Sequence, residues 1–165
     1  MRKAAAAFAL ALAACHDAPR DPTPGDHGAG EQLERAAIAA GMVSDPAHVD
    51  PVGAYASESD RVCILRAGRG YRIGASVEYG EGHRCLARGA ASGKAGKLAV
   101  AFGEDCRFEA HLENGRLVFP PLLPGGCDAL CTGRASLSAL AADLLSGARS
   151  EAEALRAPDG QPLCN

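Results

Sequence analysis

KLAVAFGEDCRFEAHLENGRLVF, running from Lys97 to Phe119, is the stretch that decides the fold. Asn114-Gly115 is a two-residue hairpin turn, because both residues tolerate positive φ. The turn sets Leu112 opposite Leu117 and Ala110 opposite Phe119. With Gly103-Glu104-Asp105 as a three-residue loop, Phe102 faces Cys106, Val100 faces Phe108 and Leu98 faces Ala110. Those apolar residues then share one face across three strands, and a slip of one residue would scatter them.

The same period of two extends outward over residues 52–121. Tyr71, Ile73, Ala75, Val77 and Tyr79 alternate with Arg72, Gly74, Ser76 and Glu78, as in a half-buried strand. Arg61 to Arg66 and Arg84 to Arg88 are further strands, separated by the Gly-rich connectors Ala67-Gly68-Arg69-Gly70 and Gly80-Glu81-Gly82. Gly89 to Ala95 reads as another connector. It approaches a phosphate-binding loop, but that motif needs four residues between its glycines and a Ser or Thr after the Lys. Here there are three, and Ala95 follows Lys94.

Helical signals flank this region. Leu33, Ala37 and Ala40 lie on one face of a short helix over 31–41, with Gly41 as its stop. Asp45-Pro46 and Asp50-Pro51 then break the chain. Residues 127–157 read as helical: Leu137, Leu140, Ala141 and Leu144 form an apolar stripe, and Ser150-Glu151-Ala152-Glu153 fits a capping box opening a second helix that ends near Arg156. The expected fold class is therefore α+β. An antiparallel β-meander of about six strands, either open or curled into a partial barrel, packs against C-terminal helices and is braced by disulfides, within one domain spanning 31–165.

The N-terminus carries a separate signal. Arg2 and Lys3 precede an eleven-residue apolar run, Ala4 to Ala14, the layout of a signal peptide over 1–14. At eleven residues the run is too short for a membrane span, which needs about 20. Leu12-Ala13-Ala14-Cys15 resembles the bacterial lipobox at all four positions. The resemblance implies lipid attachment at Cys15, a membrane anchor facing the periplasm, and, with His16 rather than Asp after the Cys, the outer membrane over the inner. The Pro-, Asp- and Gly-rich stretch that follows to residue 30 reads as a disordered tether.

Cysteine counting reaches the same residue. The chain has seven Cys, and setting Cys15 aside leaves six: Cys63, Cys85, Cys106, Cys127, Cys131 and Cys164. Six can close three bridges in an oxidising compartment. The register puts Cys106 opposite position 123, within reach of Cys127. Cys127 and Cys131, four apart on a helical turn, would have to distort to bridge each other. That favours Cys131 with Cys164 and leaves Cys63 with Cys85.

Loss of Arg2 and Lys3 takes Lys+Arg from 17 to 15 against 20 acids, so the formal charge moves from −3 to −5. Such a balance gives no electrostatic case for nucleic acid. Cys127 and Cys131 with His83 and His111 suggest zinc only if the sulfurs are thiolates, and export favours the disulfide. Ser136 and Ser138 lie on an expected helix without a strand-to-helix nucleophile turn, and the His residues are scattered. Arg72 and Arg107 stand on the faces opposite the apolar residues of their strands, where solvated charges are ordinary. No catalytic residue, metal or cofactor is nominated, and the chain is expected to be a monomer.

Gly53-Ala54-Tyr55 followed by a Cys-bearing meander resembles the opening of small periplasmic lipocalin-like barrels, among them protease and lysozyme inhibitors. That resemblance implies a rigid, disulfide-braced β-domain that plugs an enzyme cleft, or a ligand-binding barrel. The chain departs from it in having no Trp and in its C-terminal segment. In layout it resembles small uncharacterised bacterial lipoproteins. The leading expectation is a membrane-anchored envelope lipoprotein that binds or scaffolds without catalysis, its protein or small-molecule partner unspecified; the inhibitor or ligand-binding barrel is the alternative.

Overall fold

The computed structural model describes residues 28–40, 49–94 and 96–164. The chain divides into two compact units, Met1–Val43 and Ser44–Asn165. In the first, helix α1 spans Ala29–Ala39, two residues earlier than the sequence pattern suggests, and none of its residues is buried. The expected signal peptide, Cys15 and most of the tether lie outside the described residues.

The second unit is a closed antiparallel barrel. Its strands are β1 (Gly53–Ala56), β2 (Asp60–Ala67), β3 (Gly70–Glu78), β4 (Arg84–Lys94), β5 (Lys97–Ala101), β6 (Arg107–Glu113), β7 (Arg116–Val118), β8 (Cys131–Thr132) and β9 (Ala141–Ser146). Each of β1 to β6 pairs with the strand that follows it, and β9 pairs with both β7 and β1, so eight strands close on themselves. β8 is an extra strand against the start of β4.

The register of the deciding stretch is as expected. Leu98 opposes Ala110, Val100 opposes Phe108, and Leu112 opposes Leu117. The Phe102 amide donates to the Cys106 carbonyl at 2.9 Å across the intervening loop. Leu98, Val100, Ala110, Leu112, Leu117 and Phe119 are all buried in one core.

The expected fold class is not what forms. An open six-stranded meander would leave β2 and β7 as bare edges, and unpaired edges are what closure removes. β1 covers the first edge, β9 covers the second, and the two then pair with each other. Residues 141–146 are therefore strand where a helix was expected. Ala and Leu favour helix only weakly, and pairing on both sides overrides that preference. Ala139, at φ 56°, interrupts any helix between Leu137 and Leu140. Both leucines are instead buried where the chain crosses the barrel's end. The segment before them is a 3-10 turn, Gly125–Leu130. Helix α2 does form, over Arg149–Ala154, but Ala148 sits at its N-cap and no side chain caps it, so the expected capping box is not used.

The presumed connector at Gly89 to Ala95 is also corrected, since β4 runs through to Lys94. The strand hands over from β3 to β5 there, with Ala90 and Ala91 pairing on both sides. A Cβ at Gly89 would strike the Ala101 carbonyl, so only glycine lets β5 approach this closely.

Two cores result. Inside, Tyr55, Val62, Ile64, Ile73, Val77, Leu98, Val100, Leu117, Phe119 and Ala142 fill the barrel, as eight strands permit. Outside, α2 and the C-terminal segment cover one wall, where Cys63, Leu65, Ala152, Ala157, Leu163 and Cys164 form a second cluster. β2 is thus buried on both faces, its residues Val62 to Leu65 each no more than 2% exposed.

The strand and helix readings of residues 137–146 predict opposite mutational outcomes. Ala142→Asp should cost about 3–5 kcal/mol in urea unfolding, because it places an unpaired carboxylate in the barrel core. Leu144→Asp, at a half-exposed position, should cost about 1 kcal/mol. A helix built on the Leu137–Leu144 stripe would reverse that order.

Candidate functional site

The six described cysteines pair as Cys63–Cys164, Cys85–Cys131 and Cys106–Cys127, with Cα separations of 5.8, 4.0 and 4.7 Å. The expected Cys106–Cys127 bridge forms, while the other two expected bridges exchange partners. Cys131 is not on a helix with Cys127. It lies in β8, directly opposite Cys85. Cys164 is brought over the outer face of β2, where Cys63 points away from the barrel interior. With both sulfurs oxidised, Cys127 and Cys131 cannot serve as thiolate ligands. His83 Nδ1 accepts the Arg134 amide at 2.9 Å, and His111 lies on the outside of β6 with Nε2 3.7 Å from Glu109. The structure does not bring the four together.

The barrel has two dissimilar ends. The chain enters at the near end, where Val49 lines a depression with Gly96, Lys97, Leu112 and Asn114. Here the Tyr55 hydroxyl donates to the Pro51 carbonyl at 2.8 Å, and burial followed by the Asp50 charge holds that phenol protonated well above its ordinary range. Asp50 also meets Arg66 at 2.7 Å, whose guanidinium lies over the Tyr71 ring at 5.2 Å. Short turns between strands make up the rest of this end.

The far end carries the long excursion from Phe119 to Leu140. Phe119 is fully buried and packs edge-on to Phe108 at 4.8 Å, with Phe102 at 6.2 Å. The next residues, Pro120-Pro121-Leu122-Leu123-Pro124, form a loop with both feet fixed. The Phe119 amide donates to Leu140 at 2.8 Å and the Ala139 amide to Pro120 at 3.0 Å. Leu123 packs on the core, Cys127 donates its amide to Pro124 at 2.9 Å, and its sulfur is bridged to Cys106. Gly126 sits against Asp105, where no Cβ fits. Three prolines further restrict the loop, each fixing its own φ. At the tip, Leu122 is 87% exposed.

The outer face of β6, β7 and β9 forms an open groove of about 650 Å³ lined by His111, Glu113, Asn114, Arg116, Val118 and Asp143. Arg116 Nη1 donates to both Asp143 carboxylate oxygens at 3.0 Å, pinning the β7–β9 seam from outside. Arg72 and Arg107 are exposed, as the strand pattern implies, and Arg107 Nε donates to the Glu104 carbonyl at 3.2 Å. Ser136 Oγ accepts the Ser138 amide at 3.0 Å, a local turn.

Sequence reasoning passed over Leu122. Its signal was present as a run of three prolines around two leucines, just before a bridging Cys, but proline marks a loop without telling which leucine turns outward.

Removing the bridges should rank by the loop each closes. In the loop-entropy account, Cys63→Ser/Cys164→Ser should lower stability by about 4.7 kcal/mol and Cys106→Ser/Cys127→Ser by about 3.3 kcal/mol, given separations of 101 and 21 residues. Equilibrium unfolding of the two double variants checks the order. Comparison of the chain with protein-family models, with curated proteins and with solved structures finds no match.

Proposed function

We propose that the chain is an exported lipoprotein, held to the envelope by lipid on Cys15, whose barrel is a non-enzymatic binding module acting through its outside surface. The observation that carries the second half is the filled interior. The barrel is occupied by its own side chains from Tyr55 to Ala142, so recognition falls to what projects outward. Three disulfides and a two-sided β2 favour a rigid scaffold over one that changes shape. For the anchor, the six cysteines beyond Cys15 pair among themselves. Cys15 is the remaining one of the seven cysteines in the sequence, outside those three pairs, and acylation at the lipobox is the role this reading gives it.

The same reading puts the module in the periplasm, on the outer membrane rather than the inner, as a monomer with no cofactor. A formal charge of −5 after processing, from 15 basic against 20 acidic residues, argues against a nucleic-acid partner. Inhibition of an enzyme is a specific form of this binding role, and the loop bearing Leu122 favours it. Binding of a small molecule inside the barrel is disfavoured, because the space is taken.

Intact mass of protein extracted from membranes, with and without reduction before thiol alkylation, tests the reading. The expected mass is that of Cys15 to Asn165 plus acyl groups, with six thiols alkylated only after reduction. An unlipidated chain, or a Cys15→Ser variant that stays in the membrane, contradicts the anchor.

A further inference from the structure

Basic side chains gather on one wall of the barrel. From Arg84 to Gly103 the sequence holds no Asp or Glu but carries Arg84, Arg88, Lys94 and Lys97, in a chain with 20 acidic residues. That stretch supplies β4 and β5. Register adds a cation on either side of it. Arg72 of β3 lies opposite Ala90, Ala90 opposite Ala101, and Ala101 opposite Arg107 of β6. These four point outward, since their chain neighbours Ile73, Ala91, Val100 and Phe108 turn to the core. The next outward row is Ser92, Ala99 and Glu109, and the row after it is Lys94, Lys97 and His111. Arg72 and Arg107 are thus about 14 Å apart across three strand spacings, and the two lysines lie about 13 Å away along the strands. Between them is a depression of about 420 Å³ lined by Ala90, Ser92, Ala99 and Ala101. Cations frame a floor of small side chains.

Most of the frame's charge is unanswered within the barrel. Among the described residues no ion pair engages Arg72, Lys94 or Arg107, and the bond from Arg107 Nε goes to a backbone carbonyl, that of Glu104. Glu109 is the carboxylate at the frame's edge, and it lies 3.7 Å from both Lys97 and His111. Arg88, one row outside the frame, meets Asp159 at 3.5 Å. Glu104 and Glu113 lie beyond it, past Arg107 and His111 along the chain. The floor narrows the ligand. Three alanines and a serine offer no ring for a nucleic-acid base to stack on, and no large apolar side chain to enter lipid or fill a protein pocket. Separated cations around such a floor suit a chain with repeated negative groups. The protein's overall negative charge gives no long-range pull toward that ligand, so binding depends on contacts within a Debye length of about 8–10 Å.

We infer that the wall from β3 to β6 binds a polyanionic glycan, a polysaccharide bearing carboxylate or sulfate groups. Arg72, Lys94, Lys97 and Arg107 hold the anions, and the floor of Ala90, Ser92, Ala99 and Ala101 receives the sugar backbone between them. This surface and ligand class deepen the binding-module reading and rest on it.

Titration of the mature lipoprotein in neutral detergent with polygalacturonate and with dextran sulfate tests the wall, against uncharged dextran. Both polyanions are expected to bind and dextran is not. Arg72→Glu with Arg107→Glu should weaken binding at least about tenfold, as should Lys94→Glu with Lys97→Glu. Arg134→Glu with Arg149→Glu makes the same change in net charge at exposed positions off this wall and should leave affinity within about twofold. Raising salt from about 50 to about 300 mM should weaken the original complex several-fold. All six substituted positions are exposed, and unchanged urea midpoints confirm that the variants fold. Equal weakening by the Arg134 and Arg149 pair reduces the effect to bulk charge and overturns the inference. Tighter binding to phosphatidylglycerol vesicles or to oligothymidylate than to either glycan overturns it as well. Glycan binding unmoved by the wall variants overturns this site while leaving a module that binds through another part of its surface. No binding by either polyanion overturns the inference, and the anchor reading then stands on the mass measurement alone.

Discussion

The pairing of β9 with β7 on one side and β1 on the other is the constraint on which the other features depend. Without it, β1 to β7 make a curved sheet with two bare edges and an apolar face open to water. With it, the face becomes a sealed interior, Ala142 joins the core, and Arg116 clasps Asp143 across the outside of the seam. The seam is short, because β7 contributes only three residues. Its neighbours hold it. Leu140 accepts from Phe119 at the far end, and the Leu144 amide donates to Gly115 at the near end.

Closure also explains the placement of the disulfides. A chain whose last barrel strand is separated from its neighbour β7 by a long excursion must hold that excursion in place. Cys106–Cys127 and Cys85–Cys131 fasten it to the barrel's far end at two points. The third bridge acts elsewhere, fixing the C-terminal segment over Cys63 and Leu65 so that β2 needs no exposed apolar face. Arg88 reinforces that cover, donating to the Pro162 carbonyl at 3.2 Å with Asp159 at 3.5 Å. With few large aromatics and no Trp in the chain, covalent bracing supplements a core of small and medium side chains.

What the sequence made legible follows from the range of the interactions. The β5–β6–β7 register could be read because Asn114-Gly115 fixes it locally and one face must be apolar. β9 could not, since its partners on β7 and β1 lie about 25 and about 90 residues before it, and Ala-Ala-Asp-Leu-Leu-Ser has no alternation to betray a strand. β1 is too short for a pattern, although Gly53-Ala54-Tyr55 carried the barrel resemblance. The same long range hid two disulfides. Cys106–Cys127 follows from local register, whereas Cys85–Cys131 needs β8 and Cys63–Cys164 needs the chain's return across β2. At the candidate site, the prolines marked a loop, but only the buried feet show why Leu122, and not Leu123, faces outward.

Cross-strand nuclear Overhauser contacts in the folded, oxidised protein test barrel closure most directly. A closed barrel gives contacts between Leu117 and Ala142 and between Ala56 and Asp143, joining β9 to both neighbours. A ladder of contacts between residues three apart through Leu137 to Leu144, with none from Ala142 to Leu117, would instead describe a helix packed on an open sheet and would contradict the closed barrel.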